Sequence, residues 1–72
     1  MTSREDELWD VADKVAKYLV EERGVTTLLR YPDDKGLLTE ALNEVGDKVG
    51  EDELFSLMGM VNPLICRYAK RA

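Results

Sequence analysis

Leu54–Tyr68 reads LFSLMGMVNPLICRY, and this stretch decides the fold. It is the one long run in which apolar residues point in every direction around a helix. It holds the sole phenylalanine, the sole cysteine and two of the three methionines. A helix that is apolar all round is buried, so Leu54–Val61 is expected to be covered from several sides, with only Ser56 and Gly59 relieving it. Asn62-Pro63 then reads as a cap followed by proline at the first helical position. A second helical piece, Pro63–Arg71, comes after it, with Leu64, Ile65, Tyr68 and Ala69 on one side and Arg67, Lys70 and Arg71 on the other. The alternative is one continuous helix kinked at Pro63. The run falls short of the roughly 20 apolar residues a membrane span needs.

Working back toward the N-terminus, Glu51-Asp52-Glu53 opens this helix with acids in the first turn, where the helix dipole favours them. Before it, Leu38, Ala41, Leu42, Val45 and Val49 make a compact stripe on a helix over about Lys35–Val49, with Leu37 at its margin and Gly46 or Gly50 at its end. Glu40, Asn43, Glu44 and Asp47 face water. Tyr31-Pro32-Asp33-Asp34-Lys35-Gly36 is a turn cluster, and Asp33 or Asp34 can cap the helix that begins there. Val25–Tyr31 is open between helix, strand and connector. Its β-branched residues suit a strand, but no other segment offers a strand to pair with, so a helical turn or an extended connector is expected.

The first helix starts at Thr2 or Ser3. Thr2-x-x-Glu5 has capping-box spacing and Ser3-x-x-Asp6 nearly so. It runs to Arg23, with Gly24 as a left-handed end. At 100° per residue Leu8, Val11, Ala12, Val15, Ala16 and Leu19 form one apolar face, which Trp9 and Val20 widen on one edge and Tyr18 on the other. An arc of roughly 200° is more than one-sided packing needs.

The expected fold is therefore all-α: residues 1–72 as a single small domain of three or four short helices in a compact bundle, completed by self-association. The last clause comes by elimination. A chain of 72 residues buries only roughly 60% of its unfolded surface. With one cysteine, no histidine and no paired metal-ligand spacing, neither an internal disulfide nor a structural metal is available. Lack of a secretory signal and the single thiol lead to a cytoplasmic expectation.

Chemistry-bearing patterns are scarce. Cys66 has no histidine to activate it and sits in the apolar run, where a free cysteine is usually a small core residue. The carboxylate groups Asp33/Asp34, Glu40/Glu44 and Glu51/Asp52/Glu53 fall at helix starts or on water-facing sides, not in a sheltered cleft. Asp33–Gly36 lacks the alternating acids and terminal glutamate of a calcium loop. Gly46-Asp47-Lys48-Val49-Gly50 lacks the Gly-Lys-Ser/Thr ending of a phosphate loop. No catalytic residue, cofactor, metal or small-molecule substrate is indicated, and no enzyme is expected.

The reading is a small acidic protein-interaction or regulatory module acting through an apolar helical face, with a protein partner, above all a homodimer or other oligomer. Trp9, Val20, Phe55, Met58, Met60 and Val61 are the expected interface, because aromatic residues and methionine are enriched in interface cores. The alternative is a nucleic-acid-related regulator. Net charge of −5 and a pI near 4.6 speak against phosphate binding by the whole surface. Contact would fall to Arg67, Lys70 and Arg71. A helix-turn-helix layout over Leu37–Val61 is opposed by the acids at the start of its recognition helix. An acidic imitation of nucleic acid, filling the basic groove of a nucleic-acid-binding protein, is weakened by Lys14, Lys17 and Lys48 among the acids.

Overall fold

A computed structural model describes residues 3–71, Arg71 through its backbone alone. The chain forms α1 (Arg4–Arg23), α2 (Lys35–Val45), a single 3-10 turn (Glu51–Glu53) and α3 (Leu54–Arg71). No strand occurs among the described residues. The all-α expectation holds, with three helices. α1 lies chiefly against α3 and more lightly on α2, in a body 34 × 26 × 19 Å across.

Local chemistry accounts for α1. The Ser3 Oγ accepts the Asp6 N–H at 3.2 Å, satisfying one of the orphan donors of the first turn. Thr2, the other candidate cap, lies outside the described residues. Gly24 ends the helix at φ 66°, and the Val25 N–H reaches back to the Leu19 carbonyl at 2.9 Å. The six buried residues of α1 are Leu8, Val11, Ala12, Val15, Ala16 and Leu19, the face set by periodicity.

α2 is shorter than its apolar stripe suggests. It stops at Val45 because Gly46 turns left-handed at φ 77°, and the Asp47 N–H closes on the Leu42 carbonyl at 3.1 Å. Val49 stays half-buried against the core from the loop beyond. At the other end Asp34 takes the cap position without a side-chain cap bond. Its carboxylate instead accepts the Arg30 N–H at 2.7 Å and closes the preceding turn.

α3 corrects the largest expectation. There is no break at Asn62-Pro63: one helix continues through Pro63. The Asn62 side chain is engaged elsewhere, on the backbone of Leu29. Its Oδ1 accepts the Leu29 N–H at 2.8 Å, and its Nδ2 donates to the Leu29 carbonyl at 3.1 Å. This two-point pair resembles one rung of a sheet and fixes the 25–31 segment, which is an extended connector rather than a helical turn. Leu29 is thereby held in the core with both main-chain groups satisfied. Nor is α3 covered all round. Leu54, Leu57, Met58, Val61 and Ile65 point inward, whereas Phe55, Ser56, Gly59, Pro63 and Cys66 face solvent.

Ion pairs join the elements at the surface. The Arg4 guanidinium grips the Glu53 carboxylate with two bonds of 2.8 and 2.7 Å. Arg23 pairs with Glu40, Lys35 with Glu51, and Lys14 stands 3.6 Å from Asp47. The Tyr68 hydroxyl donates to Asp13, under the Lys17 ammonium 5.7 Å from the ring centroid.

Candidate functional site

Charge is distributed unevenly between the two long helices. Of the eleven exposed residues of α1, ten are charged; Trp9 is the exception. The exposed residues of α3 from Phe55 to Cys66 are all uncharged: Phe55, Ser56, Gly59, Pro63 and Cys66. No Asp, Glu, Lys or Arg occurs anywhere in residues 54–66, although a third of the chain is charged. At 1.5 Å per residue that face runs for about 18 Å.

Phe55 is its most prominent feature, at 66% exposed. Its ring meets that of Tyr31 edge to face, centroids 5.2 Å apart at 88°. This is a favoured aromatic geometry that holds Phe55 upright instead of folding it onto the core. Beside the pair is a shallow cleft of about 190 Å3 lined by Leu29, Tyr31, Phe55, Met58, Gly59 and Asn62. The hydrogen-bonded Leu29 and Asn62 are both part of its lining. No carboxylate, ammonium or guanidinium lines it. Leu28, on the same connector, is 55% exposed.

Two backbone features add to this face. A Cβ at Gly59 would meet nothing within 4 Å, so open space lies above the helix there. Pro63 has no N–H to give the carbonyl four residues earlier, so the Gly59 carbonyl lacks its helical donor on an exposed stretch of backbone.

The expected interface residues are divided by this geometry. Phe55 and Trp9 are exposed. Val20 and Met60 are half-buried and packed against the core. Met58 is 3% exposed and Val61 fully buried, so both are core residues that present no free surface. Cys66, expected inside, is exposed, because Ile65 takes the inward position and the next residue lies about 100° round the helix from it. Tyr31, Leu28 and Gly59 were not among the expected interface residues; the aromatic pairing of Tyr31 with Phe55 spans a chain separation that no local pattern reveals.

The ends of the face carry opposite charge. At its start are Glu51, Asp52 and Glu53. Hydrogen bonds from Arg4 and from the Gly50 N–H hold the Glu53 carboxyl down to about 2. Glu51 pairs with Lys35, whose ammonium is held above its ordinary value by that bond. Asp52 is exposed and makes no ion pair among the described residues. At its far end Arg67 and Lys70 are exposed and likewise without an ion pair among the described residues. The Arg71 side chain lies outside the described part of the chain.

Among the described residues no three His, Cys, Asp or Glu side chains gather as a metal-ligand set, and no helix is long and apolar enough to cross a membrane. Comparison with family models, with curated proteins and with solved structures finds no match to this chain.

Proposed function

We propose that the protein is a small non-enzymatic interaction module, and that it docks a protein partner on the solvent face of α3. One observation carries this: an uncharged face about three turns long, with Phe55 standing out of it, on a chain whose other long helix is charged at nearly every exposed position. An exposed phenylalanine propped by an aromatic neighbour beside a shallow apolar cleft is the arrangement of an interface anchor. A solvent-only role gives no reason to exclude charge from this face.

Direct nucleic-acid binding has narrower support. Arg67 and Lys70 are two exposed cations on one end of an acidic molecule, fewer than a phosphate-tracking surface uses. The acidic-mimic reading is further weakened because Glu7, Asp13, Glu40, Asp47, Glu51 and Glu53 all sit in ion pairs within the chain.

Photo-cross-linking tests the docking reading. A photoreactive phenylalanine analogue at position 55 is expected to yield a cross-linked protein product in host extract. The same analogue at Asp10, on the charged face of α1, is expected to yield none. Equal labelling from both positions, or none from position 55, rejects it.

A further inference from the structure

We infer that the partner on the α3 face is a second copy of this chain, with the two α3 helices antiparallel and crossing near Gly59 and Met60. This rests on the docking reading above and specifies its occupant. Charge order along α3 is the reason. Glu51 and Asp52 precede the uncharged face and Arg67 and Lys70 come after it. The midpoint between these two charged ends falls at Met60. The midpoint of the uncharged face, Phe55–Cys66, falls between Met60 and Val61. One twofold axis at that level therefore serves both patterns.

Applying it places Asp52 opposite the partner's Arg67 and Glu51 opposite the partner's Lys70. Both contacts occur twice, as a twofold axis requires. A parallel pairing would set acid against acid at one end and base against base at the other. Three of the four charges this arrangement uses, Asp52, Arg67 and Lys70, have no ion pair among the described residues, while Glu51 already pairs with Lys35 and would share its carboxylate.

Shape agrees with charge. Gly59 lies at the crossing with open space above it, so two backbones can approach closely there. Phe55, displaced from the axis, meets the partner's Cys66 end of the same face, where no bulky exposed side chain opposes it. Two faces of about 18 Å form an interface at the small end of the protein–protein range. The dimer is accordingly weak: populated at high protein concentration and dissociating on dilution.

Sedimentation of the purified full chain over a range of concentrations tests this. Expected is a reversible monomer–dimer equilibrium. Asp52→Arg or Arg67→Asp alone should weaken it roughly fivefold, since each altered pair counts twice, and the double reversal should restore it. These are exposed positions, and unchanged helical circular dichroism confirms that each variant is folded. A strict monomer that nevertheless cross-links to another protein from position 55 overturns the second copy and leaves the docking face standing. A dimer indifferent to Phe55→Glu overturns the second copy on the α3 face, and the docking reading falls with it only if position 55 also yields no cross-link. A dimer lost on Phe55→Glu but not restored by the double reversal overturns the antiparallel register.

Discussion

The two long helices use their outer surfaces in opposite ways. α1 presents a charged wall, much of it committed to ion pairs: Arg4 with Glu7 and Glu53, Lys17 with Asp13, Lys14 with Asp47, Arg23 with Glu40. α3 presents a face without charge over three turns and an aromatic ring that the core does not use. The inner surfaces are both apolar: α1 contributes Leu, Val and Ala, and α3 contributes Leu, Val, Ile and Met58. The difference therefore lies outside the packed core. On the docking proposal, α1 clamps the bundle through its ion pairs, and α3 serves the core on one side and would meet a partner on the other.

The sharpest way to break that division is to compare opposite sides of α3. Leu57 is fully buried, so Leu57→Ala should lower stability by about 3 kcal/mol in chemical denaturation, through lost burial and the cavity left behind. In a domain this small that is a large share of the total. Phe55→Ala, two positions away, should cost less than about 1 kcal/mol. Equal losses would mean that Phe55 belongs to the core and that the two sides are not distinct.

Next in size is the link between α3 and the connector. Asn62→Ala leaves the buried Leu29 N–H and carbonyl without partners and should cost about 2 kcal/mol. The same variant should raise hydrogen exchange at Leu29 and perturb the Tyr31–Phe55 pair. A neutral result would show that the connector holds itself in place.

A smaller effect comes from the charged side of the comparison. Glu53 titrates at about 2 in the folded chain against an ordinary 4.5, held down first by Arg4 and then by the Gly50 N–H. A lowered folded value means that the pair stabilises fully above the unfolded value. That contribution is lost as pH falls from about 4.5 toward 2. Glu53→Gln should therefore lower stability at neutral pH and flatten the fall over that window, read from thermal melts across pH. A profile unchanged from the parent would remove the Arg4–Glu53 clamp from the account.

How much was legible in sequence depends on how local each signal is. The cap at Ser3, the stop at Gly24 and the apolar spacing from Leu8 to Leu19 are all short-range, and the structure reproduces them. Asn62 misled because its partner is 33 residues away: Asn-Pro looks like a helix start when nothing local shows the amide already bound to Leu29. Met58 and Val61 were grouped with Phe55 because a helix apolar on every side carries no period to tell inside from outside. α1 and the connector settle that by covering Leu57, Met58 and Val61 and leaving Phe55 out. The same ambiguity hid Gly59 and the exposure of Cys66. The contrast in charge between the two helices was readable throughout as the empty interval from Leu54 to Cys66, and it is the feature on which the docking proposal rests.

Smallest in its effect on stability is Phe55→Glu, expected to stay within about 0.5 kcal/mol of the parent because the ring is exposed. Its effect on association should be complete. The most direct test places both helices in one measurement: amide chemical shifts of the full chain tracked on serial dilution. Concentration-dependent shifts confined to the outer face of α3 between Phe55 and Cys66, absent along the charged face of α1 and abolished by Phe55→Glu, are the expected result. Shifts that are missing at every concentration, or that spread equally over α1, would contradict the claim that the uncharged face of α3 meets a second copy.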